Sequence, residues 1–215
     1  MRIAIGVEYN GAVFRGWQRQ NDGPTVQGVL EDALSHVANH PIVLVTAGRT
    51  DTGVHASYQV AHFDTHSERS DYAWWRGGNT QLPPQVTITW AKRVSDDFHA
   101  RYSARSRSYR YVLINRKTRP AIWNGLVGWE YRSLQLAPMR EAAASLVGEY
   151  DFSAFRAAGC QARSPIRTIL NSEIFASGEW VCYDVRANGF LQHMVRNIVG
   201  VLLAVGSGEQ DPGWV

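Results

Sequence analysis

An aspartate set between two threonines, with glycines outside them, is the group in this chain best suited to do chemistry. It lies in Ala47-Gly48-Arg49-Thr50-Asp51-Thr52-Gly53-Val54-His55-Ala56. A carboxylate in such a loop can attack an electron-poor carbon or stabilise a developing cation. It can equally cap its own backbone in an Asx turn, the structural use of Asp in a Gly-flanked loop. Asp51-Thr52-Gly53 is also the signature triplet of aspartic proteases. Those enzymes need two carboxylates sharing one proton, and this chain has a single such triplet. Arg49 beside it favours a fully charged Asp51, the wrong state for that dyad. Protease chemistry is therefore set aside.

Histidines supply a second set of candidates. His55, His62 and His66, with Asp64 nearby, raise the question of a metal site. Their spacings match no zinc pattern. On a strand, His62 and Asp64 share a face while His66 falls beyond its end, so a metal-dependent hydrolase is a distant reading. His55 and His99 fit an RNA surface or loop hydrogen bonds better.

The third feature is a charge pattern. The net charge is only +3, yet no acidic residue occurs from Phe98 to Trp129. Arg101, Arg105, Arg107, Arg110, Arg116, Lys117 and Arg119 fall in that window, interleaved with Tyr102, Tyr109, Tyr111 and Trp123. Cations for phosphates and aromatics for unpaired bases make an RNA-type footprint. A solvated basic face is the plain alternative.

These groups must be held by a frame, and the pattern predicts one. With 215 residues and 45% hydrophobic content, the chain can bury a core as one domain or two small ones. The longest apolar run, residues 198–205, is far too short to span a membrane. The two cysteines, Cys160 and Cys182, form neither a CxxC motif nor a disulfide framework and fit a reduced, cytoplasmic setting. Ile3, Ile5, Val7 and Tyr9 alternate as a half-buried strand. A helix is expected from Thr25 to Val37, ended by Asn39-His40-Pro41. Strands are expected at 42–45, 58–64 and 86–94, with a short helix near Trp74. In the second half a strand at 108–114 precedes a helix marked by Met139, Ala142, Ala143, Leu146 and Val147. A hairpin turning at Ser177-Gly178 precedes a last helix carrying Leu191 to Val205. Both halves thus read as α+β, with the boundary placed after residue 104: one lobe over 1–104 with the Asp51 loop, the other over 105–215.

Several long blocks, in order, resemble the tRNA pseudouridine synthase A family. They are the Asp51 loop (in which the family usually has Ala in place of Thr52), residues 9–20 with 25–34, 96–113, 151–169 and 188–200. The resemblance covers nearly the whole chain. It implies two similar ferredoxin-like lobes sharing a mainly antiparallel central sheet with a basic cleft. It also implies isomerisation of uridine to pseudouridine in the anticodon stem-loop of tRNA, around positions 38–40. Neither metal nor organic cofactor is implied, and the partners are tRNA and a second copy of the chain in a homodimer.

The resemblance carries roles onto particular residues. Asp51 is the nucleophile. Tyr109 stacks on the extruded uracil and transfers a proton, although a strand aromatic sharing a face with Tyr111 and Leu113 would show the same pattern. Arg49 matches the arginine that helps to flip the nucleotide, a step costing a few kcal/mol. Arg196 matches the basic residue that pairs with the catalytic carboxylate. Its place in an apolar-rich helix suits a buried guanidinium in need of a carboxylate, while snorkelling at a helix edge is the alternative. Arg15, Arg19, Arg101, Arg105, Arg107, Arg110, Arg163 and Arg167 are the expected RNA contacts. The second lobe reads strand, helix, strand, strand, helix and then reaches Val215, without the closing strand that the resemblance leads one to expect. From that come two expectations: poor turnover, and the alternative of a tRNA-binding module that does not turn over.

Overall fold

A computed structural model describes all residues from Met1 to Val215. They divide into two compact units, Met1–Arg105 and Ser106–Val215.

The first unit has four strands and two helices: β1 (Arg2–Tyr9), α1 (Val26–Ala38), β2 (Val45–Thr46), β3 (Ala56–Asp64), α2 (Gly78–Gln81, entered through a π turn at Ala73–Gly77) and β4 (Val86–Val94). The sheet order β2-β3-β1-β4 is antiparallel throughout. This β-α-β-β-α-β order, with the first and third strands central, is the ferredoxin-like arrangement. Ile3, Ile5, Val7 and Tyr9 face the core as their alternation predicts, against Leu30 and Leu34 of α1. The Thr25 hydroxyl caps α1 by accepting the Gly28 N–H. Asn39 in the left-handed region (φ 58°) ends it.

The expected strand at 42–45 is replaced by an extended segment, with ladder pairing only at Val45–Thr46. Its backbone groups bond to α1 instead: the Ile42 N–H donates to Ser35 Oγ and the Leu44 N–H to Glu31 Oε1. Ile42 and Leu44 are buried while Val43 is 71% exposed, so the alternation is real although the ladder is not.

In the second unit, β5 (Arg107–Asn115), β6 (Gly128–Glu130), α3 (Leu136–Ser145), β7 (Gly148–Asp151), β8 (Ile166–Ser177), β9 (Trp180–Ala187) and α4 (Met194–Gly206) follow in order. The sheet order is β6-β5-β9-β8-β7, with β6 parallel to β5 and the other pairs antiparallel. Helices α3 and α4 share a core with β5, β8 and β9. Gly206 lets them cross closely, since a Cβ there would lie 2.4 Å from Met139 Sδ. Strands β6 and β7 are too short to register as alternation and are additions to the expected order. After α4 there is one turn of 3-10 helix, Pro212–Trp214.

The α+β class is as expected. Its strands hydrogen-bond as two sheets, one per unit, where one shared sheet was expected. The connection from β4 to β5 runs through turns rather than a tight hairpin, and β5 takes β6 and β9 as its neighbours.

Candidate active site

The Asp51 loop is fixed by the segment that leaves β1. Trp17 N–H donates to Thr50 O (3.0 Å), Gly53 N–H to Phe14 O (3.4 Å), and Gly11 N–H to His55 Nδ1 (3.1 Å). Within the loop, Val54 N–H donates to Asp51 O. From β3, the Gln59 amide donates to Gly48 O at 2.8 Å. The close approach depends on two glycines. A Cβ at Gly11 would sit 2.1 Å from Val54 O. One at Gly16 (φ +84°) would sit 2.7 Å from Thr50 O, in a backbone region that disfavours side chains. Thr50 is buried, Asp51 half-buried and Arg49 exposed. The fold thus holds the backbone on each side of Asp51, with Thr50 before it buried and Thr52 after it exposed.

In the second unit, the loop Asn188–Phe190 gathers three of the expected residues. Arg107 Nη1 donates to Asn188 O at 2.9 Å. The Arg167 side chain runs along Gly189. The Tyr109 ring meets Phe190 edge-on at 5.1 Å. Tyr109 shares its strand face with Tyr111 and Leu113 and borders the core. It is therefore a strand aromatic with one part left open, the form that a stacking residue also needs.

The remaining cations separate. Arg110 lies on the opposite face of β5 from Tyr109, doubly hydrogen-bonded to Asp184 (2.7 and 2.6 Å) and over the Phe175 ring. Arg19 is tied to α1 through Glu31, Asp32 and Gly28 O. Arg15 bonds Asp22 in an exposed pair. Arg101 lies over the Tyr102 ring, and Arg105 and Arg163 are exposed. Within β5, alternation therefore divides the charge window between two strand faces, Arg107 on that of Tyr109 and Arg110 on the other. Arg196 also differs from expectation, because it is exposed on α4. The apolar residues of α4 face the core on its other side, so burial does not force a carboxylate partner on Arg196.

The histidines have structural tasks. His55 takes the Gly11 N–H, and His99 Nδ1 takes the Tyr102 N–H. His62 is buried, accepts the Ala100 N–H, and meets His99 edge-on. Its burial, with Arg2 and His99 adding like charge, holds its pKa below the usual value. His66 stacks on His40 at 4.0 Å. Sequence reasoning missed the residues that hold the loop: Tyr9, Gly11, Gly16 and Gln59. The glycines five apart in the segment after β1 were the available signal, since close backbone approach is a standard reason for Gly in such places.

The first unit thus presents a carboxylate on a backbone fixed at several points, and the second gathers Arg107, Tyr109 and Arg167 around the loop Asn188–Phe190. A family model described as tRNA pseudouridine synthase matches residues 5–103 and 142–215. The tRNA pseudouridine synthase A of Coxiella burnetii (strain Dugway 5J108-111) is 55% identical over 213 residues, covering 99% of this chain and 82% of the relative. That of Nitrosococcus oceani is 55% identical over 214 residues, covering 100% and 83%. That of Dechloromonas aromatica is 52% identical over 215 residues, covering 100% and 82%. The chain belongs to the tRNA pseudouridine synthase family, and is by that an isomerase. Arg49, Asp51 and Arg196 lie inside the matched spans, whereas Tyr109 falls in the stretch between them.

Proposed function

We propose that this chain converts uridine to pseudouridine in the anticodon stem-loop of tRNA, around positions 38–40, as a homodimer in the cytoplasm. The N1–C1′ bond breaks, the uracil turns, and a C5–C1′ bond forms with loss of the C5 proton. Asp51 is the carboxylate that attacks or stabilises the sugar. Tyr109 stacks on the detached base and relays the C5 proton. Arg49 assists extrusion of the nucleotide, and Arg196 is the cation that pairs with Asp51. Arg105, Arg107 and Arg167 hold phosphates. The observation that carries this reading is the Asp51 loop itself, whose fixed backbone would be superfluous in a surface that only binds.

Tritium release from tRNA carrying C5-labelled uridine tests it directly. Release that disappears when the uridines around positions 38–40 are replaced by cytidine is expected. Tight tRNA binding with no release would instead make the chain a binding module. Sedimentation equilibrium tests the dimer, and insensitivity to chelators tests the metal-free chemistry.

A further inference from the structure

Tyr9 ends β1, just past an irregularity in its register with β3 between Val7 and Tyr9. Its side chain is 3% exposed, and its ring is tilted against that of Trp17 at 5.9 Å. For packing alone a phenylalanine would serve, because the hydroxyl adds only a polar atom that must find a partner. Its partner at 2.8 Å is Thr50 Oγ1, also buried, and the Gln59 side chain lies at the same hydroxyl. Thr50 is thus held twice by one segment: at its side chain by Tyr9 and at its carbonyl by the Trp17 N–H. The next residue is Asp51. Below the same loop, the Gln59 amide and the Thr46 hydroxyl both donate to Gly48 O. The turn carrying the carboxylate therefore rests on polar groups that are buried (Tyr9, Thr50, Gln59) or half-buried (Thr46).

We propose that the Tyr9 hydroxyl is a positioning group for catalysis: by fixing Thr50 it sets where Asp51 points, and so the rate of the chemical step, without contributing to tRNA binding. Small displacements of a reacting group are costly, with about 1 Å worth up to roughly a hundredfold in rate. Removing the hydroxyl leaves Thr50 Oγ1 buried without its partner, and the loop can relieve that only by moving toward water. The inference rests on Asp51 being the reacting group.

Tyr9→Phe keeps the ring and its packing against Trp17. In single turnover its rate should fall about tenfold, while its dissociation constant for tRNA stays within about twofold of the parent's. Amide hydrogen exchange should quicken at Gly53 and Val54 and remain unchanged in the middle of β1 and β3. Thr50→Val should reproduce both effects, and the double variant should be no slower than Tyr9→Phe alone, because the Tyr9–Thr50 bond is already absent there. Thr50→Ser, which keeps the hydroxyl, should recover most of the rate that Thr50→Val loses. Parent-like turnover and loop exchange in Tyr9→Phe would overturn the proposal. So would a rate loss matched by weaker tRNA binding, or additive losses in the double variant. If Asp51→Asn remains active, the reading of Asp51 fails instead, and loop exchange in Tyr9→Phe still decides whether its hydroxyl anchors the loop.

Discussion

The loop at residues 47–56 and the basic stretch at residues 101–119 look equally purposeful in the sequence, yet the fold treats them in opposite ways. The first is a short run of small and polar residues. The structure draws in Phe14, Trp17 and Gln59 to fix it, and places a glycine wherever its backbone is approached too closely. The second is a dense run of cations that alternation along β5 divides between two strand faces. Arg101 and Arg105 end the first unit, Arg107 turns to the Asn188 loop, and Arg110 is neutralised by Asp184 on the other strand face. Chemistry needs one group held in one orientation, so long-range bonds converge on it. Phosphate binding needs only charge within reach, so alternation along a strand can scatter it.

The strongest way to break this comparison is Asp51→Asn. The amide can keep the hydrogen bonds of the loop but cannot act as a carboxylate. A loss of at least about a hundredfold in single-turnover rate is expected, with melting temperature and tRNA affinity close to the parent's. A variant retaining more than a few per cent of the rate would remove Asp51 from the reaction.

Next in size are the glycines. Gly16→Ala combines a left-handed backbone with a clash on Thr50 O, and should cost about 2 kcal/mol of stability together with much of the rate. Gly53→Ala has the same backbone strain (φ +80°) but open space around it, and should cost about 1 kcal/mol. Equal effects in chemical denaturation would show that close approach at Gly16 is unimportant.

Charge reversal sharpens the other side. Changing Arg105 and Arg107 together to Glu should weaken tRNA binding and flatten its dependence on salt, by about 0.7 in log–log slope for each phosphate no longer neutralised. Arg110→Glu should change that slope little, since Asp184 already occupies the guanidinium. The same flattening in both variants would mean that the two faces of β5 serve RNA alike.

The smallest effect belongs to His62. Its folded-state pKa is lowered, chiefly by burial. Its contribution to stability is therefore complete above the unfolded value, about 6.5, and is lost as pH falls through the folded value. Melting temperature should drop by a few degrees on acidification across that window. His62→Gln should show a flatter profile.

Period and caps make most of the first unit legible. Ile3 to Tyr9 alternate, Thr25 and Asn39 bound α1, and each signal is local. The segment at 42–45 reads as a strand, but its backbone partners are side chains of α1, which no window of neighbouring residues reveals. Strands β6 and β7 escape for want of length. Asp51 stands out through residue types alone. Arg196 reads as buried because its neighbours are apolar, but a helix places residues one apart on different sides, and the exposed side falls to it. Of what holds Asp51, only Gly11 and Gly16 leave a local signal; the Tyr9–Thr50 bond, which spans 41 positions, leaves none.

That separation bears on how the chain comes to have a working loop. Strand β1 lies between β3 and β4 in its sheet, so it waits during synthesis for both neighbours. The Asp51 turn has two of its anchors on the segment that follows β1, at Phe14 and Trp17. Closing such long intervals is among the slower steps of folding. The loop should therefore take its final form only as the sheet of the first unit closes around β1. A nascent chain extended beyond Ala56 but not yet through Val94 would contain every residue of the loop and still lack its shape.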